Sequence, residues 1–214
     1  MLSLNIKNIL LKRNDECGII LSGVKFNASR GNCYSVLGRN GAGKTTLLKA
    51  IALLLDDDFI VEGDICWGDL NYSLLSPEET AFIRNNVMGI IFQDPHSSLD
   101  PLKKLSYYLN LLPKENKLLY FLEQLDFPGY ENFGKYFPYE LSGGMAQKFQ
   151  IALNFALDKE VYLLDEPTSA LDTISIKRLS SMIKSLSEKG KTFIIVTQDK
   201  PFAAMISNKI IKID

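Results

Sequence analysis

The run Gly38-Arg39-Asn40-Gly41-Ala42-Gly43-Lys44-Thr45 restricts what this chain can fold into more than any other stretch. The apolar segment Cys33-Tyr34-Ser35-Val36-Leu37 precedes it and the helical pattern Thr46-Leu47-Leu48-Lys49-Ala50-Ile51 follows it. The order predicted is strand, phosphate-wrapping loop, helix. Gly38, Gly41 and Gly43 let the backbone curl until several N–H groups point inward, and a helix starting near Gly43 adds the positive end of its dipole at the same place. An anion belongs there. At this spacing Lys44 is placed to reach the β- and γ-phosphates of a nucleotide, and the Thr45 hydroxyl is placed to ligate Mg²⁺. The expected ligand is a nucleoside triphosphate, held by residues 38–46.

Composition narrows the setting. With 214 residues, 46% of them hydrophobic, the chain can bury a sizeable core and is expected to form one α/β domain carrying an inserted lobe. A formal net charge of −1 gives no electrostatic reason to expect nucleic acid as a partner. Cys17, Cys33 and Cys66 form no C-x-x-C pair and read as small buried residues in a reducing compartment. No signal peptide is evident, and the apolar runs fall well short of the ~20 residues needed to span a bilayer. Any membrane role is therefore expected to run through a partner.

Alternating apolar patterns at residues 2–9 and 20–27, separated by a polar turn at 12–16, predict an N-terminal antiparallel sheet. The phosphate-loop helix is expected to run over 44–55, with a loop at Asp56-Asp57-Asp58 and a short strand near 63–68. Ser76-Pro77-Glu78-Glu79 carries the cap, the N1 proline and the early acidic residues of a helix start, leading to about residue 84. A buried strand is expected at 87–92. Residues 102–125 have the spacing of two amphipathic helices broken around Pro113, and 127–139 reads as a connector. Further elements are expected as a helix to about 157, a strand at 161–164, a helix from the Asp172 cap to about 189, and strands at 191–197 and 209–213.

Two carboxylates follow the apolar run Val161-Tyr162-Leu163-Leu164. Asp165, at the end of a buried strand, is where a carboxylate can reach a Mg²⁺ beside the phosphate loop, and Glu166 can orient and polarise water for in-line attack. An exposed acidic turn would explain neither the buried strand before them nor Pro167-Thr168-Ser169-Ala170-Leu171-Asp172 after them.

Together with Leu141-Ser142-Gly143-Gly144-Met145-Ala146-Gln147, these features make the chain resemble the ATP-binding cassette family of ATPases over nearly its whole length. The resemblance implies an α/β P-loop NTPase core with a mixed, mainly parallel central sheet, an N-terminal antiparallel β-subdomain and an inserted helical subdomain. Residues 1–93 and 159–214 would form the core, and 94–158 the helical part. It implies ATP and Mg²⁺ as ligands, with Thr45, Gln93 and Asp165 around the metal. Catalysis would involve Glu166, Gln93, Gln198 and Lys44. Leu141, Ser142, Gly143, Gly144 and Met145 would reach the ATP held by a second cassette, and Asp172 would contact that partner.

Two positions depart from the family pattern. Where the family usually has Thr-His-Asp, this chain has Thr197-Gln198-Asp199, and its one histidine, His96, reads as an exposed loop residue near Gln93. A glutamine can donate a neutral hydrogen bond to a γ-phosphate but carries no imidazolium charge. At the adenine-stacking position no aromatic stands in residues 11–13; Arg13 can lay its guanidinium over the base, or can be an exposed turn arginine.

Residues 93–102 and 137–145 are similar to the peptide and nickel importer branch, which implies a second cassette subunit in a homo- or heterodimer. It also implies transmembrane permease subunits, an extracytoplasmic substrate-binding protein and a peripheral position on the cytoplasmic side of the membrane. Two other classes stay open at this point: a hydrolysis-impaired regulatory cassette, for which Gln198 argues, and a soluble non-transport cassette ATPase, whose coiled coils, zinc-binding cysteines or second cassette are not evident here.

Overall fold

A computed structural model describes residues 2–13, 16–112 and 117–213. Strands β1 (Leu2–Arg13), β2 (Glu16–Ala28), β4 (Phe59–Trp67) and the short β5 (Leu70–Asn71) form a four-stranded sheet in the order β2-β1-β4-β5, with antiparallel pairings. A second sheet has the order β6-β7-β8-β3-β9. Its strands are β3 (Cys33–Leu37), β6 (Met88–Ile91), β7 (Val161–Asp165), β8 (Thr192–Thr197) and β9 (Lys209–Lys212). The central sheet, expected from the sequence to be mixed and mainly parallel, is parallel in every described pairing.

Period-two alternation explains why β3, β7 and β8 are apolar almost throughout. Val161, Leu163, Ile194 and Val196 face a core shared with helix α1 (Lys44–Ile51) and the antiparallel sheet. Their neighbours Tyr162, Leu164, Phe193 and Ile195 face a second core built with α4 (Gly143–Ala156), α5 (Thr173–Glu188) and α6 (Lys200–Ile206). A strand covered on both sides has no solvent face to make polar. The second core continues into residues of the inserted region, including Leu105, Tyr108 and those of α3 (Leu118–Gln124).

Several expected boundaries shift. Helix α1 stops at Ile51 rather than 55 because the chain reverses there: Leu53 takes a left-handed φ of 58° and the Leu54 N–H donates to the Lys49 carbonyl, a six-residue closing turn. The helix begun by the Ser76 capping box, α2 (Pro77–Phe82), passes into a π-turn over Ile83–Val87. The first helix expected in 102–125 is a 3-10 segment, Leu105–Leu111, and Lys104 supplies it with no side-chain cap. The expected break at Pro113, like the centre of the turn at Asn14 and Asp15, lies outside the described residues. Within the expected connector the chain forms 3-10 turns at Tyr130–Lys135 and Pro138–Glu140. Of the three cysteines expected to be buried, Cys33 is, Cys66 is half-buried and Cys17 is exposed. His96 is exposed, as read.

Candidate functional site

Sheet order and register place the chemistry. The carboxyl ends of β6, β7, β8 and β3 lie side by side, with Ile91 opposite Leu164, Asp165 opposite Val196 and Thr197 opposite Leu37. The residues that follow these ends, Gln93, Glu166, Gln198 and Gly38, therefore emerge along one edge of a parallel sheet, where ligands of such sheets bind. A cleft of about 380 Å³ opens there, lined by Asn40, Gly41, Gly43, Lys44, Thr45, Thr46, Gln93, Asp165, Glu166 and Ile20.

Gly43 is the hinge of the phosphate loop. It sits at φ 79° as the residue preceding α1, and a Cβ on it would lie 2.8 Å from the Ile20 carbonyl oxygen, so only glycine lets β2 close against the loop. Lys44 is buried, and its ammonium donates to the carbonyls of Gly38 at 2.9 Å and Arg39 at 3.1 Å. Those carbonyls hold the side chain over the cleft. Its Nζ also stands 3.4 Å from Glu166 Oε1.

Asp165 Oδ2 accepts the Thr45 hydroxyl at 2.7 Å, while its Oδ1 is buried with no hydrogen-bond partner. Burial pushes the Asp165 carboxyl above its ordinary range, against the opposing pull of the Thr45 hydrogen bond. A hydroxyl and a desolvated carboxylate with an unused oxygen make a donor set suited to Mg²⁺, which takes one or two protein oxygens and keeps the rest of its sphere for phosphates and water. Among the described residues no cluster of three His, Cys, Asp or Glu exists that would hold a metal without such help.

Glu166 is the most constrained side chain of the site. Its backbone has a φ of 44°, unusual for a residue with a Cβ, and its N–H donates to the Val196 carbonyl at 2.9 Å. Oε2 accepts the Thr197 hydroxyl at 2.9 Å and the Gln198 backbone N–H at 3.2 Å. Oε1 is buried and makes no hydrogen bond, facing only the Lys44 charge. A conformation costing about 1–3 kcal/mol is kept where its surroundings over-determine it.

Other residues singled out in the sequence lie off the cleft. Leu141, Ser142, Gly143, Gly144 and Met145 do not border it; Ser142 caps α4, accepting the Met145 N–H at 3.2 Å, and Gly144 packs against the Ala170 backbone. Asp172 caps α5, accepting the Ser175 N–H and hydroxyl, each at 2.8 Å, and these bonds hold its carboxyl below the usual range. Arg13 pairs with Glu16 at the end of the β1-β2 hairpin and does not line the cleft; Ile20, farther along β2, does. Sequence reasoning assigned no role to Ile20 or Thr197. Thr197 stood next to a noted departure, but its contact depends on β8 lying beside β7.

The sequence model of the ABC transporter family matches residues 21–169. The chain belongs to that family. Among curated relatives, this cassette is 29% identical over 222 residues to a dipeptide transport ATP-binding protein, DppD, of Lactococcus lactis subsp. cremoris (strain MG1363), covering 97% of this chain and 64% of that protein. It is 32% identical over 200 residues to a putative oligopeptide transport ATP-binding protein, YkfD, of Bacillus subtilis (strain 168), covering 89% of this chain and 60% of that one. The cassette thus spans less than two thirds of the length of these relatives. Among solved structures, it superposes with a TM-score of 0.84 on the dimeric structure of MJ0796, a bacterial ABC transporter cassette, at 28% identity over 100% of this chain and 94% of that one. A second structure, a dimeric post-hydrolysis state of the ATP-binding cassette MJ0796 bound to ADP and Pi, gives the same TM-score of 0.84 at 27% identity.

Proposed function

We propose that this cassette binds ATP with Mg²⁺ and hydrolyses it as the ATPase subunit of a membrane importer, with peptides, nickel or a related metal complex as cargo. The observation that carries the reading is the pair of adjacent carboxylates. Asp165 is tied to the Thr45 hydroxyl, whereas Glu166 is fixed by Thr197 and keeps an oxygen free beside Lys44. Two neighbouring acids in different environments take different tasks.

ATP enters with its phosphates against the N–H groups of the loop and the start of α1. Lys44 exchanges the Gly38 and Arg39 carbonyls for phosphate oxygens, a charge-assisted bond replacing two weaker ones. Thr45 and Asp165 are the residues that would hold Mg²⁺, with Gln93 as a further oxygen donor at the cleft. The ion supplies neutralisation of the charge that builds on the phosphates. Glu166 orients the attacking water through its unbonded Oε1, the other oxygen being occupied by Thr197 and Gln198.

The site is only half-built within one chain. Ser142, Gly143 and Gly144 stand at the N-terminal end of a 14-residue helix, off this cleft, where they are suited to meet the γ-phosphate on a second cassette, with Asp172 near the same contact. The dimeric cassettes that this chain resembles support such an arrangement. ATP-driven closure and hydrolysis-driven opening would then be passed to permease subunits, with an extracytoplasmic binding protein delivering cargo. Among the described residues no helix is long and apolar enough to cross a membrane, which fits a peripheral subunit on the cytoplasmic face that works through such partners. The transport names of the relatives support the importer assignment over a regulatory or non-transport cassette.

The test is the Glu166→Gln variant. It is expected to bind ATP, lose at least about a hundred-fold in turnover, and accumulate as a dimer on size-exclusion chromatography. Rapid hydrolysis by that variant would remove Glu166 from its role. Purification with candidate permeases, followed by uptake assays in vesicles, decides the cargo.

A further inference from the structure

Away from the ATP cleft, and sharing no residue with it, a groove of about 1130 Å³ runs between α3 and α5. Helix α5 lines it turn after turn, from Lys177 and Arg178 through Met182 to Leu186, with its C-cap Lys189 at the end. Helix α3 supplies the facing wall with Tyr120, Phe121 and Gln124, again at helical spacing, and Phe155 at the end of α4 closes the floor. From Lys177 to Lys189 the groove follows α5 for about 18 Å.

Its charge is one-sided. Among the described residues, Lys117, Lys177, Arg178, Lys189 and Lys191 border it, against the single acid Asp158. That acid is already taken by Lys191 at 2.8 Å, and Arg178 reaches the Gln124 carbonyl at 3.3 Å and Asp126 at 3.8 Å. The ammoniums of Lys117, Lys177 and Lys189 have no partner among the described residues. In a chain of net charge −1, such an excess is local rather than a by-product of composition.

We propose that this groove is a docking slot for an acidic amphipathic helix of another polypeptide. Two helical walls with an apolar floor and cationic rims receive a helix that places aliphatic side chains inward and carboxylates at both ends. A helical segment 18 Å long and 10 Å across fills roughly 1,400 Å³, of the order of the space available. A free inorganic anion would leave the apolar floor unused. A membrane surface is a poorer fit because Phe121 and Phe155 are recessed, 5% and 1% exposed, rather than protruding as insertion into a bilayer requires.

The test uses the full chain and a fluorescein-labelled peptide about 14 residues long, with Leu at i, i+3, i+4 and i+7 and Glu at both ends, read by polarisation. Saturable binding is expected, weakened at least about ten-fold by the double variant Lys177→Glu/Lys189→Glu and by about 0.5 M salt, with ATP affinity unchanged. If that double variant is thermally unstable, Lys177→Gln/Lys189→Gln carries the same comparison. Any of three results overturns the proposal: no saturable binding, equal binding of a peptide with Lys in place of Glu, or equal binding by the charge-altered chains. Binding of the wild type to phosphatidylglycerol vesicles without binding to the peptide also overturns it, in favour of a lipid surface.

Discussion

The Thr197 hydroxyl donates to Glu166 Oε2 across 2.9 Å, joining the last residue of β8 to the carboxylate that follows β7. Thr197 is fully buried, and its oxygen accepts the Asp199 N–H at 3.0 Å, so the hydroxyl has one direction left in which to donate. Asp199 in turn accepts the Thr168 hydroxyl at 3.3 Å, which connects the same network to the segment before Asp172. The free oxygen of Glu166 is thereby held toward Lys44.

Replacing Thr197 with Val removes that bond at nearly constant volume and frees the carboxylate to rotate. Turnover is expected to fall roughly ten-fold, the effect of about 1.4 kcal/mol in the transition state, while the ATP dissociation constant stays within about two-fold. Thr197→Ser keeps the hydroxyl and should restore the rate. Parallel measurements of kcat and nucleotide affinity on the two variants separate positioning of Glu166 from a general loss of packing, which would weaken both.

Gln198 offers Glu166 only its backbone N–H, at 3.2 Å, and its side chain is exposed. A histidine there would add a rigid ring and, when protonated, a positive charge near the γ-phosphate. If that contact is stronger by ~1–3 kcal/mol in the transition state, Gln198→His should raise the ATPase rate by roughly ten- to a hundred-fold. Steady-state assays across pH 6 to 8 check this; an unchanged or lower rate means that glutamine already serves the cycle.

What the sequence made legible was local. The phosphate loop declared itself because its glycines, lysine and threonine act within eight consecutive residues, and Asp165-Glu166 because they end an apolar strand. The bond from Thr197 to Glu166 spans 31 positions and exists only because β8 lies between β3 and β7, a neighbour relation that strand periodicity does not encode. Arg13 stands opposite Glu16 at the end of the β1-β2 hairpin, whereas Ile20, farther along β2, borders the cleft, a placement set by the β1-β2 register rather than by any local pattern. Helix α6 has a local signal that the strand and helix patterns around it do not carry: Asp199 followed by Pro201 is a cap followed by an N-terminal proline, and the Asp199 carboxylate accepts the Phe202 N–H at 2.9 Å.

Asp172 supplies the pH dependence. Its carboxylate is held below the ordinary value of 3.8 by the Ser175 N–H and hydroxyl, with Lys148 3.9 Å away adding a weaker pull. A lowered folded-state pKa contributes stability that is fully present above the unfolded value and lost as pH falls through the folded one. Asp172→Ala should therefore lower the melting temperature at pH 7, with the gap to wild type closing as the pH is taken below 3.8. Thermal melts of the isolated chain from neutral to acid pH test the sign; a gap that is constant across that range would assign the loss to contacts that do not depend on the charge of the carboxyl.

Gly143 and Gly144 open α4 side by side, yet alanine should be costly only at the second. Alanine in a helix is favoured over glycine by about 1 kcal/mol, and at Gly143 the new Cβ would meet only the Ala170 Cβ at 3.9 Å, an ordinary contact. At Gly144 it would lie 2.9 Å from the Ala170 carbonyl oxygen, a backbone atom that yields only if the whole 167–171 segment moves. Overpacking of that kind costs about 1–3 kcal/mol, enough to outweigh the propensity gain. With about 2–4 °C per kcal/mol for a chain of this size, Gly143→Ala should leave the melting temperature unchanged or raise it, and Gly144→Ala should lower it by a few degrees. Because the displaced segment runs into Asp172, Gly144→Ala in the Glu166→Gln background should also reduce the ATP-dependent dimer seen by size exclusion. A melting temperature equal to that of Gly143→Ala would show instead that the segment moves at no cost.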